Sequence, residues 1–179
     1  MASKFRVLGA GVWGLAFSDY LLKLGNNVEV FCRNTNLSNK DIAGLDLSHI
    51  SDKNIKSLDS LNTHESDGEI NIIAVNSKGF SELLNKHETY FSTLNELVSL
   101  TKGLDHLSGK YFSDYVFDMF SNIRMYGLIS GPSFAKDLCY EKKISVSFAT
   151  LDEELSTSMV DATKSSFFEM IPTTYIYHI

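Results

Sequence analysis

Three short runs carry the residues best suited to chemistry in this chain. They are Gly9-Ala-Gly11-Val12-Trp13-Gly14, Thr101-Lys102-Gly103 and Ser130-Gly131-Pro132-Ser133-Phe134-Ala135. In the first, Gly9 allows a tight turn, Gly11 lets a ligand approach the backbone, and Gly14 lets a helix pack against a strand. A helix beginning there offers unpaired N–H groups and about half a positive charge, which suits a pyrophosphate. Such a loop carries weight only with a strand before it and a helix opening inside it, and both patterns are present. The other possibility is a glycine turn with a purely structural role.

Lys102 follows an apolar strand pattern, near the carboxyl edge of the sheet where open α/β folds bind ligands. Its ammonium could hold the oxygens of an anionic or polar ligand. The commoner fate of a lysine after a strand is to lie along the surface with its charge in water. Gly131-Pro132-Ser133 reads as a helix start, aiming backbone N–H groups and a hydroxyl at an anion or polar ligand. Read as structure alone, it is a capped helix. The second strand ends in Cys32-Arg33, where dinucleotide folds usually place an acid against the adenosine ribose. An arginine there can stack on adenine or pair with a 2′-phosphate, or be a solvated strand-end charge. NAD and NADP are both permitted.

The elements that must position these residues follow from periodicity. Lys4–Leu8 predicts a strand, Gly11–Leu24 a helix stopped by Gly25, and Val28–Phe31 a second strand. That βαβ unit feeds a parallel sheet. Asn34–Gly68 is polar and hard to read, with a short helix and a minor strand expected. Strands follow at Glu69–Val75, Glu96–Leu100, Met125–Ile129, Ile144–Ala149 and Phe167–Ile171. Helices are expected over Phe80–Tyr90, Leu107–Ser121 and Asp152–Lys164. The fold class is α/β: a Rossmann-like, doubly wound, mostly parallel sheet flanked by helices, as one domain over residues 1–179.

Composition narrows the function classes. At 179 residues, 44% hydrophobic and 21% charged, the chain suits one soluble domain. A net charge of −6 supplies no basic footprint for nucleic acid. No apolar run approaches the ~20 residues of a membrane span, and the early first strand leaves no room for a signal peptide. Cys32 and Cys139 are far apart, which fits free thiols and a cytoplasmic location. The five histidines show no metal spacing, so no metal site is expected.

The glycine loop with Trp13 and Phe17, Arg33, Ala74-Val75-Asn76-Ser77, Thr101-Lys102-Gly103 and Ser130 through Lys136 together resemble NAD(P)-dependent glycerol-3-phosphate dehydrogenase. That family exchanges hydride between NAD(P)H and dihydroxyacetone phosphate, or runs the reverse oxidation of sn-glycerol 3-phosphate. The resemblance implies cofactor contacts at Gly9, Gly11, Val12, Trp13, Gly14, Arg33, Lys102 and Ala135. It implies substrate contacts at Lys102, Gly131 and Ser133. Val12 stands where serine is usual and Asn76 where proline is usual, and the 34–68 region is shorter than in the family.

The family continues into a helical substrate domain bearing a second lysine, its proton donor and acceptor. Nothing after Ala149 reproduces that segment, and Lys164 comes too early. The resemblance therefore implies the cofactor-binding portion, inactive or weakly active alone. The apolar, aromatic end Thr173–Ile179 predicts self-association. Two alternatives stand beside it: a non-catalytic dinucleotide-binding module, and a different reductase on the same fold. The Thr101 and Gly131 segments argue against the latter.

Overall fold

The computed structural model describes residues 2–37, 44–61, 68–131 and 135–176. Strand β1 (Lys4–Leu8) leads into helix α1 (Val12–Lys23), which stops where expected: Gly25 takes φ 85° and donates its N–H to the Leu22 carbonyl. After β2 (Asn27–Cys32) the polar stretch yields β3 (Ile55–Ser57), with single 3-10 turns on either side of it at Asp52–Asn54 and Leu58–Ser60. There follow β4 (Glu69–Ile73), α2 (Ser77–Lys86), α3 (Glu88–Phe91), β5 (Glu96–Ser99) and α4 (Phe112–Met119). The chain continues through β6 (Met125–Ser130), α5 (Ala135–Cys139), β7 (Ile144–Thr150), α6 (Glu153–Thr163) and β8 (Phe168–Thr173).

The strands form one eight-stranded sheet in the order β3-β2-β1-β4-β5-β6-β7-β8. Neighbouring strands pair in parallel except β6 with β7, which run antiparallel. Alternation along each strand builds two cores. Phe5, Val7, Val30, Ile72 and Phe148 pack with Leu15, Phe17 and Tyr20 of α1, Leu138 of α5 and Met159 of α6. Leu8, Phe31, Ile73 and Leu128 pack on the opposite face with Phe80 of α2, Phe91 of α3 and Val116 of α4. Helices on both faces and a reversal of strand order beside β1 make the sheet doubly wound, as the apolar strands required.

Two helices differ from expectation. The helix expected from Leu107 begins only at Phe112, because residues 104–111 close on themselves first. The Asp105 carboxylate accepts from the Ser108 amide and hydroxyl, each at 2.8 Å, and Gly109 donates to the Asp105 carbonyl at 2.8 Å. Tyr111 therefore sits before the helix and is 44% exposed. The Phe80–Tyr90 helix is two pieces, broken at His87, where φ and ψ of −115° and 31° leave the helical region.

Polar residues also enter the core. Arg6 on β1 lies beside Glu69, with Nε 2.8 Å from the carboxylate, and donates to the Tyr90 hydroxyl at 3.4 Å. Asp19 of α1 is buried and accepts N–H bonds from His49 at 2.7 Å and Ile50 at 3.1 Å, which holds the segment before β3 against the helix.

Candidate functional site

The three motif-bearing runs converge on the carboxyl edge of the sheet. Trp13 in the first turn of α1, Val75, Asn76 and Ser77 between β4 and α2, Thr101 and Lys102 after β5, and Ser130 ending β6 line one cavity of about 340 Å³. That volume falls in the range of small-molecule sites, about 300–1,000 Å³. It sits beside the point where the strand order reverses, the usual binding crevice of such sheets.

The glycine loop is shaped from below by β4. Gly9 takes φ 127° and donates to the Phe31 carbonyl at 2.8 Å, and a Cβ there would stand 2.5 Å from the Ala74 carbonyl oxygen. A Cβ on Gly14 would meet the Gly9 carbonyl oxygen at 2.4 Å. Gly11 differs: its Cβ would find no protein atom nearer than the Ala74 oxygen at 3.8 Å. Gly9 and Gly14 thus close the backbone on itself, while Gly11 keeps open the space above the helix terminus. Val12 begins α1 and is 42% exposed, and no acidic residue occupies the first turn. A phosphate group fits this terminus electrostatically.

Lys102 reaches across the cavity to the third run, its Nζ donating to the Gly131 carbonyl at 3.0 Å. Burial lowers its pKa below the ordinary 10.5. Gly131 is itself crowded by β7, where a Cβ would stand 3.1 Å from the Val146 Cα. Beneath Lys102, the buried Ser99 hydroxyl donates to the Thr101 carbonyl and accepts from the Thr101 amide, both at 3.0 Å. The Thr101 hydroxyl donates to the Val75 carbonyl at 2.7 Å. Asn76, in place of the resembling family's proline, caps α2 by accepting from the Gly79 N–H at 2.9 Å.

Other sequence-derived candidates lie elsewhere. Arg33, at the end of β2, has a side chain 77% exposed and an ion pair with Glu82 at 3.9 Å. Ala135 opens α5 and is buried in the core on the α1 side, away from the cavity lining. Ser133 and Pro132 fall outside the described residues. Ser99 was missed by the sequence reading. The signal available for it was a hydroxyl residue two positions before Thr101, at the point where a strand ends and its backbone partners run out. Among the described residues, no group of three His, Cys, Asp or Glu side chains is placed to hold a metal ion.

Known proteins resemble this chain over most of its length. Residues 4–156 match the model described as the N-terminus of NAD-dependent glycerol-3-phosphate dehydrogenase. A glycerol-3-phosphate dehydrogenase [NAD(P)+] of Rickettsia bellii is 30% identical over 158 residues, covering 86% of this chain and 50% of that protein. The corresponding enzyme of Alcanivorax borkumensis is 24% identical over 179 residues, covering 97% of this chain and 52% of its own length. The crystal structure of glycerol-3-phosphate dehydrogenase from Coxiella burnetii superposes with a TM-score of 0.76 at 20% identity, covering 96% of this chain and 54% of that one. The chain therefore spans about half the length of the curated relatives it matches.

Proposed function

The chain belongs to the NAD-dependent glycerol-3-phosphate dehydrogenase family, and on that premise we propose that residues 1–179 form its dinucleotide-binding domain. The reaction served is interconversion of dihydroxyacetone phosphate and sn-glycerol 3-phosphate. The observation that carries this reading is the Lys102–Gly131 bond across a cavity walled by Trp13. It puts a cation, a glycine loop and a helix terminus at one sheet edge.

The residues present fit a dinucleotide. Gly11 leaves a cradle that a Cβ would occupy, and the N-terminus of α1 faces it with no competing acid. When bound, the cofactor supplies or accepts the hydride exchanged with the substrate carbon. Gly9, Gly11 and Gly14, with the amides of Val12 and Trp13, hold the pyrophosphate. Lys102 contacts cofactor and substrate, and its ammonium offsets charge developing on the substrate oxygen. Gly131 and Ser133 bind substrate, and the family's further cofactor contact at Ala135 would be made by the backbone opening α5, since the Ala135 side chain is buried in the core. Arg33 is the group positioned to accept a 2′-phosphate or stack on adenine, so NADP is accommodated beside NAD.

A cytoplasmic setting fits the chain's free thiols, Cys32 and Cys139. Among the described residues, no helix is long and apolar enough to cross a membrane. Self-association through the C-terminal edge draws support from exposed Ile171 and Tyr175. Sedimentation velocity across a concentration series tests it, and a strictly monomeric chain would refute it. A net charge of −6 leaves nucleic acid out of the scheme. The second reading, a non-catalytic nucleotide-binding module, draws support from Val12, which supplies no hydroxyl at the helix terminus. A turnover assay with NADH and dihydroxyacetone phosphate, with and without a separately supplied helical domain from a relative, divides the two readings. Restored turnover supports the enzyme reading, whereas binding without restored turnover supports the module.

A further inference from the structure

We propose that Ser99 and Thr101 are positioning residues, whose hydroxyls fix the turn that carries Lys102 into the cavity. The inference rests on the cofactor-domain reading above and extends it to residues beneath the site.

β5 runs out at Ser99. Ser99 is the last residue paired on both sides, opposite Ile73 of β4 and Leu128 of β6. One residue on, Leu100 still donates to the Ile73 carbonyl at 2.8 Å. At Thr101, only 4% exposed, the ladder has ended and both backbone polar groups need partners. Ser99, wholly buried, supplies both from a single hydroxyl: it accepts from the Thr101 amide and donates to the Thr101 carbonyl. That closes a compact turn and fixes the peptide entering Lys102.

Thr101 then ties the turn sideways. Its hydroxyl donates to the Val75 carbonyl, at the junction of β4 and α2 that forms another wall of the cavity. Ser99 also pairs with Leu128 through the backbone ladder, which links the turn to β6. Lys102 thereby leaves a backbone pinned to β4, β5 and β6, and its ammonium meets Gly131 at the end of β6. Locking a reactive side chain from below is what precise placement requires, since a displacement of about 1 Å can cost about a hundredfold in rate.

The test compares Ser99→Ala, Thr101→Val and the conservative Thr101→Ser with the wild-type chain. Three readouts are taken: amide hydrogen exchange across residues 100–103, NADH affinity by Trp13 fluorescence, and thermal midpoint. We expect Ser99→Ala and Thr101→Val to speed exchange at 100–103 by about tenfold or more, with exchange within β4 and β1 unchanged. They should weaken NADH binding by about tenfold, while Thr101→Ser stays within about twofold of wild type. Unchanged exchange at 100–103 overturns the proposal. So does a loosened turn with unchanged NADH affinity, or a Thr101→Ser variant as impaired as Thr101→Val. If Thr101→Val does not fold, Ser99→Ala, which removes one oxygen, decides on the same readouts. If the wild-type chain binds neither NADH nor NADPH, the cofactor reading falls, and the exchange result alone upholds or overturns the pinning of the turn.

Discussion

Gly14 of α1 packs so closely over Gly9 that a Cβ on Gly14 would stand 2.4 Å from the Gly9 carbonyl oxygen and 3.0 Å from the Ala74 Cβ. Real Cβ atoms do not approach a backbone oxygen that closely, so the first helix lies on β1 and β4 at a distance only glycine permits. Gly14→Ala should cost about 1–3 kcal/mol of stability. Gly11→Ala meets nothing nearer than 3.8 Å, at a φ of −71° that alanine adopts readily. It should therefore keep stability within about 0.5 kcal/mol, yet weaken NADH binding by about tenfold or more. Denaturant unfolding and cofactor titration of the two variants separate the helix-packing glycine from the ligand-facing one.

Charge at Arg33 should set cofactor preference. Its pair with Glu82 is exposed and 3.9 Å long, a kind of contact worth at most about 1 kcal/mol, so the guanidinium can be redirected at little cost. Arg33→Glu should weaken NADPH by about tenfold or more and leave NADH within about threefold. Equal losses for both cofactors would place Arg33 against the adenine rather than a 2′-phosphate.

Burial pushes the Lys102 pKa below 10.5. The ammonium attracts an anion only while protonated, so affinity for inorganic phosphate or NADH should fall as pH rises through that lowered value, earlier than for an ordinary lysine. Stability moves the opposite way. The unfolded chain keeps this proton to higher pH than the folded one, so stability gains as pH rises between the folded value and 10.5. Lys102→Arg should flatten the affinity profile below pH 10.5, because arginine stays charged there. Titration at several pH values checks it.

Asn76 offers a prediction about local stability. As the cap of α2 it satisfies the Gly79 N–H at 2.9 Å. Asn76→Ala should cost about 1 kcal/mol. Urea unfolding measures it, and a loss near zero would mean water replaces the side chain without penalty.

The parts of this molecule written in local pattern were legible from the sequence. Strand, glycine loop and helix between Lys4 and Lys23 follow from apolar spacing and the stop at Gly25, and the strands that lead into Lys102 and Gly131 were expected from their apolar residues. Long-range polar links were not legible. The Lys102–Gly131 bond spans 29 positions, and Asp19 holds residues 49 and 50 through backbone N–H groups that any sequence would supply. The late start of α4 came from an Asp105–Ser108 turn that apolar periodicity does not register. The described part of residues 34–68 stayed obscure because polar side chains there bond backbone rather than repeat on one face. The Asn54 side chain, for instance, donates to the Val28 carbonyl at 3.0 Å.

The central claim is that the cavity edge binds a nicotinamide dinucleotide, and Trp13, the one tryptophan in the chain, lines that cavity and reports on it directly. Titrating the chain with NADH and NADPH, alone and with dihydroxyacetone phosphate, follows its quenching. Saturable quenching with Kd of order micromolar is expected, tightened by dihydroxyacetone phosphate and weakened about tenfold or more in Lys102→Ala or Gly11→Ala. Quenching that does not saturate for either cofactor, or saturable binding indifferent to both substitutions, would contradict the central claim.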